Sequence, residues 1–294
     1  MTKMKKKIIV WIIAFFCTAV CSYGLESEIV GYTTKTIPAN TRMMIAVQFD
    51  KTDGTQFEFD EAFHLDAVGP KAWESAEDED CIPGWHTDAP ELQIPVGTVN
   101  RGYRDLWWCQ NAWDDDLGDF VEGWADLQGM YITSQRMLRD HGVWLIAGTN
   151  DMKVTMNGMV KSAASDTISA SAGWNMLKLP YPMTLNVDDP KIDWNLAGVD
   201  AWVTTNDESC VFDWYVTAPV LRIQENAIDK VPYTIDKAYR DLYYSSKTWD
   251  NELCDFVEGW ANADGFHAAD ATIPEGVAFW FVVTNAVIST ISKE

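Results

Sequence analysis

The chain is poor in the residues from which most active sites are built. It has four histidines in 294 residues, His64, His86, His141 and His267. It has no Gly-x-Ser-x-Gly elbow, no phosphate-binding glycine loop and no Cys-x-x-Cys pair. Nucleophilic catalysis, nucleotide binding and a Cys/His metal centre therefore have no motif behind them. Cations are scarce too: 22 Lys and Arg face 44 Asp and Glu, a formal charge of -22. Such a chain repels phosphate backbones and anionic lipid, which argues against nucleic acid and membrane surfaces as partners. Beyond the first two dozen residues no apolar run is long enough to span a bilayer. Helical periodicity is weak everywhere; residues 60–68 and 134–139 are the best helical candidates. Aromatics, by contrast, are plentiful, with 15 Trp, and a disordered chain is thereby excluded.

The N-terminus sets the expected compartment. Lys3, Lys5, Lys6 and Lys7 precede an apolar stretch over 8–20, and small or polar residues follow at Ser22 and Gly24. That is the signal-peptide pattern, over 1–24, with cleavage after Gly24 or Ser22. An uncleaved anchor and a lipoprotein at Cys21 are the rival readings, although Val20 stands where a lipoprotein carries a small residue. Losing four lysines and no acids takes the formal charge to about -26. The expected protein is exported, to the periplasm, cell surface or medium.

The strongest signal is similarity of the chain to itself. Tyr103-Arg104-Asp105-Leu106 recurs as Tyr239-Arg240-Asp241-Leu242, Trp113-Asp114 as Trp249-Asp250, and Asp119-Phe120-Val121-Glu122-Gly123-Trp124-Ala125 as Asp255-Phe256-Val257-Glu258-Gly259-Trp260-Ala261. Fourteen of 24 gapless positions from Tyr103 to Asp126 are identical. Upstream, Cys81, Trp85, Ala89-Pro90, Leu92 and Ile94 match Cys210, Trp214, Ala218-Pro219, Leu221 and Ile223. Downstream, Gly142-Val143 is aligned with Gly276-Val277. The copies are placed at 25–156 and 157–294, with no Gly/Ser linker between them.

Each copy reads as short strands separated by turns. Met152, Val154 and Met156 alternate with polar residues; Met43, Ile45, Val47 and Phe49 share one parity, as do Leu92, Ile94 and Val96. Residues 278–283 form a continuous apolar run, suited to a strand buried on both faces. Asp53-Gly54, Pro83-Gly84, Asn157-Gly158, Asp264-Gly265 and Pro274-Glu275-Gly276 mark turns. The expected fold is all-β: two tandem β-sandwich or jelly-roll-like domains. Four cysteines remain after export, and three pairings are open to them. Copy equivalence favours one bridge per domain, Cys81 with Cys109 and Cys210 with Cys254, across the hairpin.

The second copy carries Gly173-Trp174-Asn175-Met176-Leu177, Pro180-Tyr181-Pro182, Ile192-Asp193-Trp194 and Ile273-Pro274-Glu275-Gly276-Val277-Ala278-Phe279-Trp280-Phe281-Val282. It resembles a β-rich domain of secreted and surface proteins from Bacteroidetes and the Verrucomicrobia–Lentisphaerae group. Leu179 replaces the usual Asn before Pro-Tyr. The first copy keeps neither Gly-Trp-Asn nor Pro-Tyr, so its membership rests on the internal repeat. The resemblance implies a non-catalytic extracellular module and carries over no ligand.

Two groups of residues are candidates for binding. Asp114, Asp116, Asp119 and Glu122 match Asp250, Glu252, Asp255 and Glu258, and closely spaced carboxylates on a turn are suitable Ca²⁺ ligands. The spacing is not that of an EF-hand, and solvated turns with carboxylates paired to Arg104 and Arg240 are the plainer reading. Trp107 and Trp108, like Tyr243 and Tyr244, point to opposite faces of a strand. One of each pair is expected in the core; the other is available to stack on a sugar ring, unless cross-strand packing occupies it. The expectation is a secreted, non-enzymatic protein with a binding or structural role, its partner a polysaccharide or another surface protein. The alternatives are a carbohydrate-binding module using exposed aromatics and, last, a secreted hydrolase.

Overall fold

Alternating apolar residues become strands along most of the chain. A computed structural model describes residues 30–51, 61, 63–78, 80–95, 102–132, 141–229 and 238–293. The leader at 1–24, the Asp53-Gly54 turn, Val96 and the helical candidate at 134–139 lie outside the described residues.

The described chain is all-β, with its strands in five antiparallel sheets. The first copy supplies β1 (Val30–Ile37), β2 (Thr41–Ile45), β3 (His64–Asp66), β4 (Glu91–Pro95), β5 (Tyr103–Asp114), β6 (Asp119–Ala125), β7 (Val143–Ile146) and β8 (Met152–Met159). The second supplies β9 (Ser165–Ala170), β10 (Gly173–Leu177), β11 (Leu185–Asn186), β12 (Ile192–Asp193), β13 (Val220–Gln224), β14 (Ile228–Asp229) and β15 (Tyr239–Asp250). It continues through β16 (Asp255–Ala261), β17 (Thr272–Ile273), β18 (Phe279–Val283) and β19 (Val287–Ser292).

Each copy is a sandwich of a large and a small sheet. The order β2-β7-β4-β5-β6 in the first copy is repeated as β10-β18-β13-β15-β16 in the second. Facing these are β1-β8-β3 and β9-β19-β12. The inner faces meet in one core per copy. Ile45, Leu92, Leu106, Trp124 and Leu145 of the first large sheet pack on Ile37, Met152, Val154 and Met156. Leu177, Leu221, Leu242, Trp260 and Phe281 do the same against Ile168, Ile192 and Ile291. Burial of these side chains is the main stabilising term of each copy.

The large sheets are covered on their outer faces as well. In each copy the segment before β4 or β13 folds back over the outer face of the β5–β6 or β15–β16 hairpin. Ala72, Trp73, Trp85 and Ala89 pack on Trp107, Cys109, Ala112 and Ala125; Ala201, Trp202, Trp214 and Ala218 pack on Tyr243, Trp249 and Ala261. The indole N–H groups tie this cover down. Trp73 and Trp85 donate to the carbonyls of Gly129 and Leu127 at 3.1 and 3.3 Å. Trp202 and Trp214 donate to Gly265 and Ala263 at 2.9 and 3.1 Å. Cys81 and Cys210 sit at the same place, their thiols near the Leu127 and Ala263 carbonyls.

Part of the remaining outer face of each large sheet is covered by the other copy. Met44, Ala46 and Trp144 of the first large sheet join Met176, Ala278 and Trp280 of the second in one buried cluster. The contact is mirrored: Gly142 N–H donates to Met176 O at 3.1 Å, and Ala278 N–H to Met44 O at 3.4 Å. The registers show why this is a mirror. Trp144 and Trp280 stand opposite Gln93 and Arg222, and Met44 and Met176 stand opposite those tryptophans. Gly142 thus corresponds to Ala278, two residues on from the Gly276 of the sequence alignment. In addition β14 pairs with the edge of β2 through Ile228↔Arg42 and Asp229↔Thr41, and the Gln224 amide bonds both Met44 N–H and Arg42 O.

Several sequence expectations change. Asn157-Gly158 is not a turn: Tyr32 and Gly31 of β1 pair with it, so β8 runs to Met159 and the 156/157 boundary falls inside a strand of the first copy. Within the helical candidate 60–68, His64–Asp66 is strand β3, paired with β8. The proposed bridges are absent, and Cys81, Cys109, Cys210 and Cys254 are all free thiols. Cys109 is buried on β5 opposite Gly123, and burial pushes its thiol up to about 12. Cys254 instead lies exposed at the tip of the β15–β16 hairpin. The two cysteines are therefore not equivalent, and neither stands across a strand pair from the cysteine of the cover.

Cys254 has φ 53°, where the first copy has Gly118 at φ 64°. A side chain in this left-handed region is strained by roughly 1 kcal/mol. Cys254→Gly is expected to raise the melting temperature of the protein by ~2 °C. Thermal melts of the two proteins under reducing conditions check this.

Candidate functional site

The acidic turns first serve the backbone. Asp114 Oδ1 accepts from the N–H groups of Asp116 and Leu117 at 2.9 and 3.1 Å. Asp250 Oδ1 accepts from Glu252 and Leu253 at 2.8 and 3.0 Å. Such side-chain caps explain why both copies keep Asp at the start of the turn. Asp119 and Asp255 bond the next N–H, of Phe120 and Phe256. Asp116, Asp119, Glu122, Glu252, Asp255 and Glu258 are exposed. Among the described residues no three His, Cys, Asp or Glu side chains converge as metal ligands.

In the second copy Asp250 has a further partner. Its Oδ2 lies 2.7 Å from His267 Nδ1, and His267 Nε2 lies 3.0 Å from Asp188 Oδ2. Asp188 also accepts from the Trp260 N–H at 3.1 Å. The ring donates to both carboxylates only when it carries both protons. Burial raises the Asp188 carboxyl. The Leu253 N–H and then His267 hold Asp250 below the ordinary carboxylate range. Asp188 belongs to no repeated motif and carries no sequence signal. His267 has no histidine counterpart: the first copy has Tyr131 at its place, each residue bridging to the end of β6 or β16. Asp188, Asp193, Trp194, Tyr244 and Glu258 line an open cleft of ≈ 480 Å³. Tyr244 is pushed up to about 12, by burial and then by Glu258, to which its hydroxyl donates at 3.2 Å.

All four candidate aromatics are half-buried, so neither ring of either pair is the freely exposed one that strand alternation alone suggests. On the inner side Trp108 meets Trp124 edge-on at 5.5 Å and Tyr244 meets Trp260 at 5.3 Å. On the outer side Trp107 meets His86 at 5.2 Å and Tyr243 meets Tyr215 at 5.2 Å. The outer rings are packed because the cover lies beside them, which period-two alternation does not reveal.

The repeated Tyr-Arg-Asp-Leu block places Tyr103, Asp105 and Trp107, and likewise Tyr239, Asp241 and Tyr243, on that outer face. Gln93 stands opposite Asp105, and Arg222 opposite Asp241. Arg222 Nε and Nη2 grip Asp241 Oδ1 and Oδ2 at 2.6 and 2.7 Å. The guanidinium lies 5.1 Å from the Trp174 ring and 5.4 Å from the Tyr239 ring. In the first copy Asp105 Oδ1 is buried with no hydrogen-bond partner among the described residues.

One substitution therefore has opposite signs in the two copies. Burial raises the Asp105 carboxyl above its ordinary value, Gln93 only partly offsetting it. The native state then holds that proton more tightly than the unfolded chain, and stability falls as pH rises through the carboxylate range. Asp105→Asn is expected to raise the melting temperature by ~2 °C at pH 7 and to leave it unchanged near pH 3. Asp241→Asn breaks a paired, partly exposed fork and costs about 1 kcal/mol. Melts of both variants at the two pH values give the comparison.

Fold and site together define a class: a tandem pair of antiparallel β-sandwiches, packed outer face to outer face, with an acidic cleft and an Arg–Asp fork in the second copy. Comparison with protein-family models, curated proteins and solved structures finds no match for the chain.

Proposed function

We propose that the protein is an exported, non-catalytic component, a binding or structural module of two duplicated β-sandwich domains. One observation carries this reading. The features the copies share, from the indole anchors of the cover to the Asp caps of the hairpin turns, hold the fold together. The group nearest to an acid–base site, His267, has carboxylates at both ring nitrogens. Neither nitrogen is left to activate a nucleophile. The N-terminal leader pattern and the resemblance of the second copy to secreted β-rich domains support export. No cofactor enters this reading.

The test is to express the full chain in a Gram-negative host, fractionate the cells and determine the mature N-terminus by mass spectrometry. The expected product begins just after Gly24 or Ser22 and is found in the periplasm or medium. Full-length protein retained in the cytoplasm would overturn the export reading.

A second reading, carbohydrate binding, is favoured by the Arg222–Asp241 fork, which lies beside Trp174, Tyr239 and Tyr243 on a partly open sheet face.

A further inference from the structure

Resting on the carbohydrate reading, we propose that the outer face of the second copy holds a subsite for a neutral glycan. Arg222 and Asp241 form its hydrogen-bonding edge, and Trp174 and Tyr243 its two aromatic ends.

The registers place the parts. Trp174 on β10 pairs with Val282 on β18, Val282 with Val220 on β13, and Val220 with Tyr243 on β15. These four side chains form one transverse row on the same face, about 14 Å long at three strand spacings. Trp174 is 37% exposed, and Val220, Val282 and Tyr243 are half-buried, so the row is partly open to solvent. It is an apolar strip with a ring at each end. The adjacent row brings Arg222 and Asp241 alongside.

The chemistry of the fork selects the ligand. Two of the five guanidinium N–H groups of Arg222 are used by Asp241, and the carboxylate keeps lone pairs beyond those two bonds. A vicinal diol needs such neighbouring donors and acceptors. Contacts with Trp174 and Tyr239 fix the guanidinium in advance, which lowers the ordering cost of binding. The pair is neutral as a unit, so a cationic ligand meets Arg222 and an anionic one meets both Asp241 and a chain of formal charge -22. Neutral hydroxyls satisfy both halves, and the flat C–H faces of sugar rings suit Trp174, the valines and Tyr243.

The first copy shows that the fold alone does not require this strip. Its equivalent row is Arg42, Ile146, Glu91 and Trp107, with charges where the second copy has Trp174 and Val220. There β14 closes the Arg42 end. Gln93 replaces Arg222, so the fork is missing as well. The subsite is thus assigned to the second copy alone.

The experiment is affinity electrophoresis of the mature full chain in gels containing soluble β-glucan, mannan, galactan or dextran, with polygalacturonate as the anionic control. Binding is expected to one of the neutral polymers and not to polygalacturonate. Tyr243→Ala, Trp174→Ala and Arg222→Lys are each expected to weaken it at least roughly tenfold, the size of one charge-assisted hydrogen bond or one ring contact. Arg222→Lys keeps the charge and loses the two-pronged fork, so it reports on the site without emptying the sheet face. Unchanged melting temperature accompanies a valid loss. If the wild-type chain binds a neutral polymer and all three variants bind equally well, the site assignment is wrong and the carbohydrate reading stands. If it binds only polygalacturonate, this inference is wrong and the carbohydrate reading stands; if it binds none of the polymers, the carbohydrate reading falls and takes this inference with it.

Discussion

Gly198→Ala is expected to lower the melting temperature by about 6 °C, the effect of ~3 kcal/mol of overpacking in a chain that unfolds as one unit. At Gly198 the cover segment crosses directly over the bulge of β15, where the register shifts between Ser245 and Thr248. An added Cβ lies 2.6 Å from the Ser245 carbonyl carbon and closer still to the Ser246 nitrogen. Both are backbone atoms of a paired strand, so no rotamer change relieves the clash. The cover must lift instead, and with it the contacts of Ala201, Trp202 and Trp214. Gly69 makes the same crossing over Trp108 and Cys109 in the first copy, so Gly69→Ala is expected to behave alike. Calorimetry together with tryptophan fluorescence checks the pair. An unchanged melt for both would mean that the cover contributes little to stability.

These glycines also show how far the sequence could be read. The hairpin repeat, the parity of Leu92 and Ile94 and the continuous run at 278–283 are local signals, and each gave a strand in the expected place. Parity says which residues share a face; it does not say what lies upon that face. Met44 and Ala46, opposite in parity to Ile45 and Val47, are buried as well, because the other copy sits on them. Trp73 and Trp202 are equally placed in the two copies, but the cover they anchor has no period to announce it. Asn157-Gly158 carries a strong turn signal, which β1 overrides by pairing along the whole of β8. Cysteine spacing suggested bridges that the hairpin register does not allow. The site was the least legible part. Asp188 and His267 are 79 residues apart, and Trp174, Arg222 and Tyr243 come together only through the order of four strands. Of that strip the sequence marks Tyr243, as one half of an aromatic pair, and Trp174, within Gly173-Trp174-Asn175, without joining them.

The mirrored contact between the copies leads to the second large effect. Gly142 and Ala278 occupy equivalent positions and face each other across the interface, and a Cβ on Gly142 collides with the Cβ of Ala278. The interface accepts one methyl group there and not two. Gly142→Ala is therefore expected to push the copies apart and cost about 3 kcal/mol, most of it at the interface. Each copy keeps its own inner core, so calorimetry should show one unfolding transition in the parent and two in the variant. Ala278→Gly in the same chain removes the opposing methyl group and should restore most of the loss. The tight approach to Ile45 O, at 3.1 Å, limits full recovery. A rescue of this kind distinguishes two packed partners from two domains that merely share a chain. A single transition in Gly142→Ala would show that the copies stay coupled without this contact. In that case the pairing of β14 with β2, and the Gln224 bonds beside it, would have to hold them together.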